Sequence, residues 1–94
     1  MFMGLVIMII EMEYYEIVSY IEHCLGYDVN EAECLADFFY NRGWDNINIR
    51  KYIANSNIYI IPYGENVDEY IKKGDSEDYI LMKADNGYTY LEFY

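Results

Sequence analysis

Tyr79-Ile80-Leu81-Met82-Lys83-Ala84-Asp85-Asn86-Gly87-Tyr88-Thr89-Tyr90-Leu91-Glu92-Phe93 is the stretch whose reading decides the fold. Two runs rich in aromatic and aliphatic residues, 79–84 and 88–93, flank Asp85-Asn86-Gly87. Asn-Gly between such runs signals a β-hairpin, because both residues tolerate the positive φ that a tight hairpin turn demands. Upstream, Asn57 to Pro62 alternates enough to form another strand. Pro62 has no N–H to donate, which places it at a sheet edge or a strand end.

The rest of the chain reads as helices. Asn66 caps a two-turn helix over Val67–Lys73, closed by Gly74, with Lys72 and Lys73 in the last turn where cations suit the helix dipole. Asp45 caps a short helix running to Ala54, with Ile49, Tyr52 and Ile53 inward. Residues 31–42 form a longer helix with Asn30 as N-cap and Glu33 completing a capping box. Its inward face is Ala32, Leu35, Ala36 and Phe39; Glu33 and Asp37 share the outward face; Gly43 ends it. Residues 13–25 form another helix, with Ile17, Val18, Ile21, Cys24 and Leu25 as its apolar stripe and Gly26 as its stop. The expected class is α+β: a small antiparallel sheet with a C-terminal β-hairpin, and two main N-terminal helices packed on one face. The length of 94 residues fits one domain, 1–94.

Met1 to Ile10 is wholly apolar. Ten residues are too few to span a bilayer, and the positive n-region and cleavage site of a signal peptide are missing. The run reads as a buried strand paired centrally in the sheet, or as an extension ahead of a start at Met8 or Met12 that packs on a second copy.

Charge is distributed one-sidedly. The chain carries 17 acids against 6 bases, a formal net charge of −11. Before Arg42 stand Glu11, Glu13, Glu16, Glu22, Asp28, Glu31, Glu33 and Asp37, with no Lys or Arg. Such density repels itself and opposes folding. It also repels nucleic acid and anionic membranes, so neither is an expected partner. The apolar fraction of 54% separates the chain from acidic disordered tails. Thirteen residues are Tyr, a side chain that buries a ring while keeping a wet hydroxyl and suits half-buried edges and interfaces.

Motifs for chemistry are missing. There is no Gly-rich phosphate loop, no Walker sequence and no HExxH. Cys24 and Cys34 form no CxxC pair, and with one His (His23) a zinc site lacks ligands. They read as reduced, mostly buried thiols of a cytosolic protein. His23 and Cys24 diverge on a helix; a site assembled from His23 and Cys34 in space is the remaining nucleophilic option. The expectation is no catalysis, no cofactor and no metal.

Two readings of the acids compete. One is a solubilising surface. The other is imitation of nucleic acid. B-DNA presents a negative charge every ~1.7 Å of its axis, and carboxylates at i,i+3 or i,i+4 on a helix stand about 5–6 Å apart. Glu13 with Glu16, and Glu33 with Asp37, have that spacing. Tyr14, Tyr15, Tyr20 and Tyr27 supply apolar anchors among them. The candidate partner-binding residues are therefore Glu13, Glu16, Glu22, Asp28, Glu31, Glu33, Asp37, Tyr14, Tyr15, Tyr20 and Tyr27.

Several short motifs point the same way: Leu35-Ala36-Asp37-Phe38-Phe39-Tyr40-Asn41-Arg42-Gly43, Ile49-Arg50-Lys51-Tyr52-Ile53, Tyr63-Gly64-Glu65-Asn66-Val67, and the closing Asn86-Gly87 hairpin. Together they resemble the C-terminal domain of the ArdA antirestriction proteins, over about two thirds of the chain. The resemblance implies a phage or mobile-element DNA mimic that blocks restriction enzymes. ArdA proteins carry further upstream domains, so a one-domain mimic would form a homodimer or block a smaller groove. An anti-CRISPR inhibitor of a Cas effector is the sibling reading. Either way the partner is a basic DNA-binding protein. The alternative from another class is a non-catalytic oligomerising structural or assembly module.

Overall fold

A computed structural model describes residues 13–74 and 76–94. The strand expected over Met1–Ile10 lies outside the described residues. In chain order the elements are α1 (Tyr14–Leu25), α2 (Val29–Tyr40), α3 (Asn46–Asn55), β1 (Asn57–Ile61), α4 (Val67–Lys73), β2 (Tyr79–Lys83) and β3 (Thr89–Phe93). The class is α+β, as expected.

The hairpin sets the sheet. Ala84 N–H donates to the Tyr88 carbonyl at 2.7 Å and Gly87 N–H to the Ala84 carbonyl at 3.0 Å, closing the loop over Asp85-Asn86-Gly87. Gly87 has a φ of +90°, which its missing Cβ permits at little cost. β3 then pairs antiparallel with β2 on one side and β1 on the other, giving the order β1-β3-β2. Lys83 and Ile61 both stand opposite Thr89. Pro62 follows β1 directly, and among the described residues β1 lies at the sheet edge, so the missing N–H takes nothing from the described ladder.

All five residues of β3 are buried. Alternation along the strand sends Tyr90 and Glu92 to one face and Leu91 and Phe93 to the other. On the first face Tyr90 joins Ile17, Ile21, Leu35, Phe38, Phe39 and Ile49 in the main core, contributed by α1, α2 and α3. The two main helices thus share a face, as expected. α4 lies on the opposite face, where Val67, Tyr70 and Ile71 pack on Ile61, Leu91 and Phe93. Each fully buried Leu, Ile or Phe contributes roughly 1.5–3 kcal/mol.

Helix ends follow local chemistry, with one shift. α1 stops at Gly26, which is left-handed at φ +83°. Asp45 caps α3 by accepting from Asn48 N–H at 2.9 Å. Asn66 caps α4 by accepting from Asp68 N–H at 3.0 Å. α2 starts two residues before its expected start, capped by Asp28 rather than Asn30. Glu31 N–H donates to Asp28 Oδ1 at 2.8 Å, and Asp28 N–H donates back to Glu31 Oε1 at 3.2 Å. The spacing Asx-x-x-Glu occurs at both 28–31 and 30–33; the second set is engaged elsewhere, at the hairpin loop. α2 accordingly ends at Tyr40, and Gly43 lies in the following turn. One stripe residue also departs from expectation: Leu25 packs on the core edge while Cys24 is exposed. The last turn of α1 reaches past the core there.

Gly74 offers a test of the α4 layer. A Cβ there would fall well inside contact distance of the Phe93 ring, and that ring is buried. Gly74→Ala is expected to lose about 1–3 kcal/mol by overpacking, although its φ of −78° suits any residue. Urea denaturation measures the loss, and adding Phe93→Leu is expected to recover part of it.

Candidate protein-interaction surface

The expected acidic residues have distinct structural duties. Glu16 Oε1 accepts from Glu13 N–H at 2.9 Å and closes the start of α1. Asp28 and Glu31 form the capping box of α2. Carboxylates in first turns also offset the positive end of the helix dipole. Glu22 stands beside exposed His23, at 3.7 Å.

Glu33 and Asp37 are not on a free outward face. Both are half-buried and reach the hairpin loop. Asp85 N–H donates to Asp37 Oδ2 at 2.8 Å. The Asn86 side-chain amide donates to the Asn30 carbonyl at 2.9 Å and approaches Glu33 Oε1 at 3.4 Å. The reason is tertiary: α2 packs against β3, and the loop that begins β3 lands on the helix beside these side chains.

The tyrosines divide. Tyr14 and Tyr15 meet edge-on at 5.7 Å, and Tyr14 meets Tyr40 edge-on at 5.8 Å. The Tyr14 hydroxyl donates to the Glu33 carbonyl at 3.4 Å. Its pKa is pushed above the ordinary range, first by burial, then by the hydrogen bond and charge of Asp37, with Glu33 and Asp85 adding to it. Burial is the larger cause, and the nearby carboxylates add to it. Tyr15 is 81% exposed and Tyr40 47% exposed. Tyr27 is half-buried, and its hydroxyl is pushed up by burial and then by the charge of Glu31. Tyr20 packs on the core edge. The structure therefore brings Tyr14, Tyr15, Glu33 and Asp37 together with two residues that the sequence reading left out, Tyr40 and Asp85. Asp85 had only its place in an acidic hairpin loop to mark it. Tyr40 had its position at the end of an aromatic helix.

A second cluster went unanticipated. Glu92, on central β3, is 4% exposed. The Tyr52 hydroxyl donates to its carboxylate at 2.5 Å, and the Tyr90 hydroxyl donates at 2.7 Å. Phe38 stacks on Tyr90 at 4.0 Å, and Trp44 meets Tyr52 edge-on at 4.7 Å. Trp44 and Tyr52 also line an open cavity of about 350 Å³ with Asn48, Lys51, Asn55 and Ser56. Two hydroxyl donors pair with this buried carboxyl group, and such hydrogen bonds offset part of the cost of burying it. In exchange the tyrosines hold their protons: burial, then the Glu92 hydrogen bond and charge, push Tyr52 up to about 12 and Tyr90 higher. At neutral pH both act as fixed hydrogen-bond donors.

Cys34 is fully buried, and burial, with Asp37 and Glu31 adding to it, pushes its thiol up to about 12. His23 faces solvent. The two do not form a nucleophilic pair. Among the described residues no group of three or more His, Cys, Asp or Glu is placed to hold a metal ion, and no helix is long and apolar enough to cross a membrane. No family model, curated protein or solved structure matches this chain at a significant level. The likeness to ArdA proteins rests on its short motifs.

The Glu92 cluster makes stability fall in alkali. Unfolded Tyr52 loses its proton near 10.0, whereas the folded side chain keeps it to about 12. A raised pKa contributes stability that is complete below the unfolded value and lost as pH rises to the folded one. The urea midpoint is therefore expected to drop between pH 10.0 and about 12. Tyr52→Phe is expected to lower the midpoint at neutral pH and to flatten that alkaline drop.

Proposed function

We propose that this chain is an acidic inhibitor from a phage or mobile element that acts in the bacterial cytoplasm. It occupies the DNA-binding surface of a host-defence protein, a restriction enzyme or a Cas effector, by imitating nucleic acid and without catalysis. The observation that carries this reading is a cluster centred on Tyr14, which meets exposed Tyr15 and Tyr40 edge-on and donates to the Glu33 carbonyl beside the Asp37–Asp85 contact, on a chain with 17 acids and 6 bases.

The physical case starts with rigidity. Caps and hairpin contacts hold the carboxylates of α1 and α2 in place, so little ordering entropy is lost on binding. An ionised carboxylate has about four lone-pair sites, and a cap or loop contact uses one of them. The charge and the remaining sites stay available to a partner. Arg is the complementary side chain: its guanidinium forks onto a carboxylate and stacks on a tyrosine ring. A DNA-binding groove is lined with such residues, and filling it releases counterions as DNA does.

Because the same carboxylates hold the fold, charge reversal would confuse unfolding with lost binding. Isosteric neutralisation avoids this. Glu13→Gln, Glu16→Gln, Glu22→Gln, Asp28→Asn, Glu31→Gln, Glu33→Gln and Asp37→Asn each keep a hydrogen-bonding oxygen. Combined, they are expected to weaken inhibition of DNA cleavage by a susceptible restriction enzyme or Cas nuclease at least about a hundredfold, and to flatten its salt dependence. Tyr15→Ala alone is expected to weaken it about tenfold without changing the melting temperature. Full inhibition by the seven-site variant would sink the proposal.

A further inference from the structure

The bare side of β2 carries an inference about assembly. Among the described residues, β2 pairs only with β3, and its other edge is open. Its burial alternates, with Tyr79, Leu81 and Lys83 exposed. Leu81 is 48% and Tyr79 40% exposed. β1, the other edge strand, has no large apolar side chain that exposed. Open, flat, apolar edges invite another strand.

Hydrogen-bond phase restricts what can be added. Tyr94 N–H donates to the Asp78 carbonyl and Ala84 N–H to the Tyr88 carbonyl. In an antiparallel ladder bonded pairs alternate with unbonded ones. Even-numbered β2 residues therefore bond to β3, while the N–H and C=O groups of Tyr79, Leu81 and Lys83 turn outward. A second β2 run antiparallel with Leu81 opposite Leu81 matches all three outward residues. Tyr79 then bonds Lys83 of the second copy, Leu81 bonds Leu81, and Lys83 bonds Tyr79. No other register pairs the full five-residue strand.

Side chains agree with that register. Leu81 meets its own copy on the two-fold axis. Lys83, the one charged residue of β2, stands opposite Tyr79, whose ring is already braced edge-on against Phe93 at 6.0 Å. Cation and aromatic ring attract across strands. Glu77, two residues before Tyr79, adds a negative charge near the approaching lysine.

We infer that the outer edge of β2 joins the same edge of a second copy of this chain, antiparallel and centred on Leu81, to make the six described strands one continuous sheet. The two-fold axis is perpendicular to the sheet, so α1 and α2 of both copies lie on the same side. This doubles the length of the acidic, tyrosine-edged surface. The pairing itself does not depend on the inhibitor reading. A five-residue edge is a small interface, so the dimer is weak, with Kd on the order of micromolar. Each copy carries −11, so salt strengthens the dimer by screening repulsion. Binding of a basic partner responds to salt in the opposite direction, which separates the two proposals.

Sedimentation equilibrium of the full chain at low and high salt tests the inference, together with Leu81→Lys. The expected result is a monomer–dimer equilibrium that shifts toward dimer in high salt. Leu81→Lys is expected to raise Kd at least about tenfold, with circular dichroism unchanged. As a second measurement, Leu81→Cys in a Cys24→Ser background is expected to oxidise to a dimer whose peptides are joined through position 81. A chain that stays monomeric in high salt at concentrations far above micromolar would overturn the inference. So would a dimer indifferent to Leu81→Lys. A monomer whose Tyr79, Leu81 and Lys83 amides resist hydrogen exchange would assign the edge to another segment of the same chain.

Discussion

β3 is buried on both faces and paired along both edges, and the other described elements are placed by that constraint. A five-residue strand cannot cover its own apolar faces. One side takes α1, α2 and α3; the other takes α4, held between β1 and the Phe93 ring. Strand alternation then forces Glu92 into the interior beside Tyr90. Such a carboxylate would be destabilising without donors, and Tyr52 reaches it from α3. The chain thus uses tyrosine as an internal counter-group where a chain richer in bases would use Lys or Arg.

The same economy runs through the acidic half. Repulsion among 17 carboxylates opposes folding, yet most of those before Arg42 have a local use. Glu16 closes α1, Asp28 and Glu31 cap α2, and Asp37 fixes the hairpin loop. A cap contributes typically about 1 kcal/mol. These contacts offset part of the repulsion and hold the charges still. Structural duty and partner binding are compatible here, because a carboxylate that accepts one backbone hydrogen bond keeps its charge.

Some positions were legible in the sequence because their causes are short-range. The loop at Asp85-Asn86-Gly87, the caps at Asp45 and Asn66, and the stop at Gly26 depend on residues within about four positions. The apolar stripes of α1 and α2 likewise follow from helical period, which placed Ile17, Val18, Ile21, Leu35, Ala36 and Phe39 correctly. The start of α2 was misplaced because Asp28-x-x-Glu31 and Asn30-x-x-Glu33 are equally good local signals. The first pair forms the cap, while the Asn30 carbonyl and the Glu33 carboxylate face the hairpin loop. Of the candidate surface, Glu33 and Asp37 were legible from spacing and Tyr14 and Tyr15 as apolar anchors among the acids, whereas Tyr40 and Asp85 join them only when α2 and the hairpin meet.

The amino-acid sequence by itself determined the α+β class, the hairpin, most helix ends and the one-sided charge. Each rests on backbone preference, periodicity or composition. Only the tertiary structure decided the order β1-β3-β2, the placement of α4 on the far face, the burial of Glu92 and the engagement of Glu33 and Asp37. Those outcomes depend on partners far apart in the chain: Tyr52 and Glu92 are 40 residues apart, Asp37 and Asp85 48, and Asn30 and Asn86 56. A residue's chemistry shows what it is able to bond. Which of its possible partners it meets is set by how the layers pack, and period and propensity carry no record of that.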